Sequence, residues 1–248
     1  MALINKLSFE FNIPKISFKS SAKASSLNVN PQTDSFITKP INRIFTLSDL
    51  QLKEEVALNP RVKELLSSHK IPLRVNVNEL ENLRQGHLQN TRVATAKIYS
   101  ALPYELKSQI NLPNLQEAAM YHDYGKILIP ENVLNKAGEL NEAEFEIMQL
   151  HPELSYELLK NKGFNSRTLN LIRYHHQLPD ASGYPKIVSD YEFGLDSQIL
   201  NVADRYSALL EKRPYKDAMS KEDALNIIKE DVNSGLIIRP VYDALTMI

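Results

Sequence analysis

Asp204 constrains this chain more than any other residue. It falls within an apolar helical stretch running from about Leu195 to Lys212, on the face shared by Leu200, Ala203, Ser207 and Ala208. No capping role exists at mid-helix, and its neighbour Arg205 points to a different face because adjacent helical residues diverge. An unpaired buried charge is prohibitively costly, so the fold has to bring a cation to this carboxylate from elsewhere. His151 poses the same problem, flanked at helical spacing by Ile147, Met148, Leu154 and Leu158. A lone histidine in such a place is ordinarily a satisfied core residue. Here, however, the pattern recurs. His87 lies in a stripe with Leu80, Leu83, Leu88, Ala94 and Ile98. His122 and Asp123 stand just before Gly125 and Lys126, and His175 and His176 come shortly before Pro179 and Gly183. Sequential residues diverge by about 100° on a regular helix, so the last pair can converge only where the backbone leaves the helix. His69, the sixth histidine, sits on a polar stretch and reads as surface.

The chain has no cysteine. Disulfides and thiolate metal sites are therefore excluded, and any metal must be held by imidazole and carboxylate, ligands that suit iron, manganese, cobalt, nickel or zinc. Five histidines and two aspartates in comparable settings make a metal centre the chemical reading to test.

The remaining pattern predicts an all-α fold. Only 7 of the 248 residues are glycine, too few for a turn-rich β architecture, and no convincing pair of strands can be traced. Leu52 and Val56 before Pro60, then Val62, Leu65 and Leu66, predict a helical lead-in over residues 46–76. A long helix is expected from about Val77 to Leu102. Asn114 with Glu117 reads as a capping box opening a helix that ends with His122 and Asp123 before Gly125. Asn141 with Glu144 reads as another, opening a helix that carries His151. Further helices are expected at Ser166–His176, Leu195–Lys212, from Ser220 with Asp223, and over Pro240–Met247. Residues 77–248 would form the functional domain. Residues 1–45 differ: they hold seven serines, six lysines or arginines and only two acids, a basic serine-rich tail that buries too little apolar surface to order itself.

A formal charge of −1 gives no global positive field, which excludes general nucleic-acid binding. No apolar run approaches the roughly 20 residues a membrane-spanning helix requires. Glu10 and Lys15 interrupt the place where a signal-peptide core would lie, so the expected location is the cytoplasm.

From His87 onward the chain resembles the HD-GYP phosphodiesterases. The resemblance is carried by His87, His122-Asp123-Tyr124-Gly125-Lys126, Ile129 to Lys136, His151-Pro152-Glu153-Leu154, His175-His176-Gln177, Gly183-Tyr184-Pro185, Asp204 to Leu209, and Arg213-Pro214-Tyr215-Lys216. It implies a five-helix HD core with additional helices that hydrolyses cyclic di-GMP to the linear dinucleotide, and onward to GMP, by means of a hydroxide bridging its metals. Transferred position by position, it gives His87, His122, Asp123 and Asp204 to one metal and Asp123, His151, His175 and His176 to a second, with iron or manganese expected and Asp123 shared. A third metal in some members uses a glutamate one turn before the first histidine. Leu83 stands there, so two ions are expected. Lys126 would face the scissile phosphate, with Asp123 and Lys126 as the catalytic pair, and Tyr184, Arg213 and Lys216 would contact the dinucleotide. Two positions depart from the family pattern. Gln177 replaces a glutamate, which bears on how the paired histidines are held. Ala181 replaces a glycine and is strained if the backbone there needs positive φ. Two other readings keep the same residues: hydrolysis of a different nucleotide phosphoester, and a non-catalytic nucleotide sensor or adaptor that docks a protein partner through the Gly183-Tyr184-Pro185 loop or the basic tail.

Overall fold

In a computed structural model, residues 47–188, 191–212 and 217–248 are described. The basic serine-rich tail, and Arg213 with Lys216, lie outside the described residues. Among those described there is no strand, and no helix is long and apolar enough to cross a membrane.

Among the described residues thirteen helices and one 3-10 turn follow in order: α1 (Asp49–Leu58), α2 (Pro60–Ser68), α3 (Val77–Gln85), α4 (His87–Ala101), α5 (Tyr104–Lys107), α6 (Leu112–Tyr121), the 3-10 turn Tyr124–Leu128, α7 (Glu131–Leu134), α8 (Glu142–Met148), α9 (His151–Leu159), α10 (Ser166–Arg173), α11 (Leu195–Leu210), α12 (Lys221–Asn233) and α13 (Arg239–Thr246). Asparagine opens many of them. Asn59, Asn76, Asn111, Asn141 and Asn165 each accept from a backbone N–H of the first turn, covering donors that a helix start otherwise leaves orphaned.

Four expected boundaries are corrected, one of them being the helix from Ser166, which ends at Arg173 rather than His176 and leaves both histidines beyond it. The stretch 77–102 is two helices rather than one, because Gly86 (φ −109°, ψ −102°) breaks the axis and makes His87 the first residue of α4. The apolar period continues across the break, which is why periodicity alone joined them. The helix before His122 is opened by Asn111, three residues earlier than expected, with Pro113 in its first turn, where a missing N–H costs nothing. The capping box at Asn141 and Glu144 is present, but its helix ends at Met148, and His151 begins a separate helix with Pro152 in its first turn.

Helix α4 is the hub, packed against α3, α6, α11 and α13, while α9 packs on the 3-10 turn, α10 and α2. Fully buried Leu88, Ile98, Leu115, Ile127, Leu154, Ile172, Leu200 and Val202 fill the space between them. At roughly 1.5–3 kcal/mol for each large apolar side chain, such packing can offset the desolvation of polar groups gathered at its centre. Forked arginine–carboxylate pairs brace the helices from outside. Arg173 reaches Glu153 at 2.6 and 2.7 Å, joining the end of α10 to the start of α9, and Arg167 holds Asp196 at the start of α11. The lead-in is docked as well, since Asn59 Nδ2 donates to the Glu157 carbonyl of α9 at 3.0 Å.

Candidate metal centre

Four helix ends and one mid-helix residue deliver the polar cluster. His87 opens α4, His122 and Asp123 follow α6, His151 opens α9, and His175 and His176 lie just past the end of α10. Asp204 is the exception, carried by the interior of α11. Beyond the helix the backbone frees the histidine pair from helical divergence, and their ring centroids come within 4.1 Å.

Two close approaches make this convergence possible. A Cβ on Gly125 would lie 2.3 Å from the His151 carbonyl oxygen, so only glycine lets the turn after Asp123 meet α9. The Gly125 N–H then donates to Ser155 Oγ at 2.7 Å. The single proton of that hydroxyl is shared between the carbonyls of His122 (2.7 Å) and His151 (2.8 Å). Ser155 thereby ties the His122–Asp123 segment to the helix that carries His151. It stands outside the candidate set, and its i+4 spacing from His151, on a helix otherwise buried through Leu154 and Leu158, is the signal that could have found it.

Two overlapping groups of donor atoms result. His87, His122, Asp123 and Asp204 form one, Asp123, His151, His175 and His176 the other, and within each group the donors lie within 4.8 Å of one another. Asp123 belongs to both. Its Oδ2 lies 3.5 Å from Nε2 of both His87 and His122, and its Oδ1 lies 3.2 and 3.8 Å from Nε2 of His151 and His175. Asp204 Oδ1 is 2.7 Å from His87 Nε2 and 3.4 Å from His122 Nε2, and Oδ2 is 4.0 Å from His176 Nδ1. Asp123 Oδ1 and His122 Nε2 are buried with no hydrogen-bond partner. Unpaired buried polar atoms are rare and costly, and a cation between them would satisfy both. Buried clusters of this chemistry, within this fold, fit a divalent metal site.

The protonation states agree. Burial alone would raise the Asp123 carboxyl, yet the positive charge of Lys126 and the imidazoles of His122 and His151 hold it well below the usual carboxylate range. Burial likewise opposes ionisation of Asp204, and its contacts with His122 and His87 outweigh it. His151 is pushed down by burial, His175 by burial and its histidine neighbours, and His176 by burial and His151 to about 3. Neutral imidazoles and ionised carboxylates are the forms that bind metal. His87 differs: burial lowers it, but hydrogen bonds to Asp204 and Glu211 raise it to about 9.

Of the residues expected to meet substrate, Lys126 places Nζ 2.6 Å from Asp123 Oδ2 and is 13% exposed. Tyr184 stacks on the His176 ring, with centroids 4.7 Å apart, and its backbone N–H donates to the His176 carbonyl at 3.2 Å. Gly183 permits that approach, since a Cβ there would lie 2.2 Å from the same carbonyl oxygen. Buried Gln177 closes the arrangement, its Nε2 donating to the Pro185 carbonyl at 2.6 Å. Ala181 has φ 62°, so the position does take the left-handed conformation in which an alanine is strained. His69 caps the end of α2 and joins neither group, and buried Leu83 offers no ligand one turn before His87.

The family model described as "HD domain" matches residues 74–237. A cyclic di-GMP phosphodiesterase response regulator of Xanthomonas campestris is 42% identical over 114 residues, which cover 45% of this chain and 30% of that protein. A 3'3'-cGAMP-specific phosphodiesterase of Vibrio cholerae is 32% identical over 151 residues, 60% of this chain and 35% of its relative. The chain thus spans about a third of the length of these two relatives. Among solved structures, an HDG"Y"P protein from Bdellovibrio bacteriovorus shares the fold, with a TM-score of 0.50 at 17% identity over 79% of this chain and 67% of the other.

Proposed function

Because the chain belongs to the HD domain family and carries the HD-GYP signature residues, we propose that it is a metal-dependent phosphodiesterase that opens cyclic di-GMP to the linear dinucleotide. One observation carries the reading: two four-residue donor groups share Asp123, one carboxylate oxygen facing each group, and leave buried donor atoms unpaired. His87, His122, Asp123 and Asp204 would hold one divalent ion, and Asp123, His151, His175 and His176 the other. The thiolate-free donor set admits iron, manganese, cobalt, nickel or zinc, and the resemblance to the HD-GYP phosphodiesterases favours iron or manganese among them. Bound as a pair, such ions supply Lewis acidity to a phosphodiester and an activated water for its in-line displacement.

The chain's own residues do the rest. Asp123 fixes the spacing of the two groups because one rigid carboxylate serves both. Lys126, a compact cation 2.6 Å from Asp123, stands where it can neutralise charge gathering on a phosphate oxygen. Tyr184 covers His176 and walls the site on that side. The names of the curated relatives support a cyclic dinucleotide substrate, and the Vibrio cholerae relative makes 3'3'-cGAMP the first alternative.

Protein purified without oxygen and loaded with Fe(II) or Mn(II) is expected to linearise cyclic di-GMP faster than 3'3'-cGAMP or a nucleotide monoester. His122→Ala and Asp123→Ala are expected to abolish turnover. Wild-type rates in both variants would reject the mechanism, and nucleotide affinity with no bound metal would favour the sensor reading.

A further inference from the structure

His87 is held differently from its neighbours. The rings of His122, His151 and His175 each donate Nδ1–H to the carbonyl three residues earlier, those of Ala119 (3.0 Å), Met148 (2.7 Å) and Ile172 (2.7 Å). That bond fixes the tautomer and turns the Nε2 lone pair toward the centre of the cluster. His87 does not use the device: three residues earlier lies Arg84, on the far side of the Gly86 break, and its Nδ1 faces a side chain instead.

Glu211 takes the place of the missing carbonyl. Its Oε2 lies 3.1 Å from His87 Nδ1, and its Oε1 accepts from Asn90 Nδ2 at 2.9 Å, so α4 itself steadies the carboxylate. Glu211 caps α11, seven residues or about two turns after Asp204. One helix therefore sets a carboxylate against each nitrogen of one ring, Asp204 at Nε2 and Glu211 at Nδ1. Glu211 faces the nitrogen that points away from the cluster and is not among the residues whose donor atoms gather there.

We propose that Glu211 is a positioning residue for the metal centre, orienting His87 and strengthening Nε2 as a donor toward the ion shared with His122, Asp123 and Asp204. Its role rests on the reading of these residues as metal ligands. An orienting carboxylate behind a ligating histidine raises the basicity of the ring, and its loss typically costs about 10–100-fold in metal affinity or activity.

The test titrates Mn(II) calorimetrically into chelator-stripped wild type, Glu211→Ala, Glu211→Gln and, as a control, Glu64→Ala on the exposed face of α2, with circular dichroism of each metal-free protein beside it. Glu211→Ala is expected to weaken one of two bound ions by about 10–100-fold and leave the other unchanged, with turnover restored by excess Mn(II). Glu211→Gln keeps an acceptor without the charge and should fall between, which keeps the test decisive if the alanine variant misfolds. Folded Glu211 variants that bind both ions as wild type does would overturn the inference and leave the metal-centre reading standing. Wild-type protein that takes up no Mn(II) or Fe(II) would instead bring down the reading beneath it.

Discussion

Replacing Ser155 with alanine deletes one oxygen atom from a fully buried position where three backbone segments meet. The Gly125 N–H loses its acceptor at 2.7 Å and the His122 carbonyl loses its donor at 2.7 Å. The His151 carbonyl loses less, being four residues upstream in the same helix, where the Ser155 backbone N–H can serve it. A buried group left without its hydrogen bond costs about 1–3 kcal/mol, so two such groups predict a loss of about 2–6 kcal/mol. For a domain of this size each kcal/mol lowers Tm by about 2–4 °C, which places the expected drop at about 4–24 °C. Calorimetric melting of metal-free protein measures it. Ser67→Ala is the control, because that hydroxyl also bonds a backbone carbonyl, Glu64 at 3.0 Å, but on an exposed surface. Its cost should stay within about 0.5 kcal/mol. A Ser155→Ala protein that melts within about 2 °C of wild type would refute the claim that this hydroxyl ties the His122–Asp123 segment to α9.

Gly183→Ala should cut turnover by more than tenfold and lower Tm as well, because the new Cβ would meet the His176 carbonyl at 2.2 Å, a backbone contact that must give way, and drive Tyr184 off the imidazole; an unchanged kcat would count against the stacking argument. Ala181→Gly should raise Tm by about 2–4 °C, since left-handed backbone costs an alanine roughly 1–2 kcal/mol, partly offset by the greater freedom of glycine in the unfolded chain. A lower Tm would show that the loop does not hold φ near 62° in solution.

The site was legible in the sequence where a residue contradicts its local surroundings. Asp204 among Leu200, Ala203 and Ala208, and His151 between Met148 and Leu154, announce themselves without knowledge of what lies across the fold. Helix starts at Asn141 and Ser220 were legible for the same local reason, since a cap and its partner sit three residues apart. The Gly86 break was not, because the apolar stripe keeps its phase through it. Nor was the start of α6, where Asn111 with Pro113 and Asn114 with Glu117 offered competing signals three residues apart. Glu211 was hidden for another reason: its partner lies 124 residues away in the chain, and a polar residue near a helix end looks like any solvated side chain until the helices are assembled, whereas Ser155 left a trace in its four-residue spacing from His151 on a buried helix.

The Gly183-Tyr184-Pro185 tripeptide is engaged within the protein itself: its glycine yields room to a carbonyl, its tyrosine lies over His176, and its proline carbonyl receives Gln177. The tripeptide is thus, in this protein, a strut under one imidazole. A lost activity after its mutagenesis reports first on the alignment of that ring, and arguments about docking or recognition have to begin from variants in which the strut still stands.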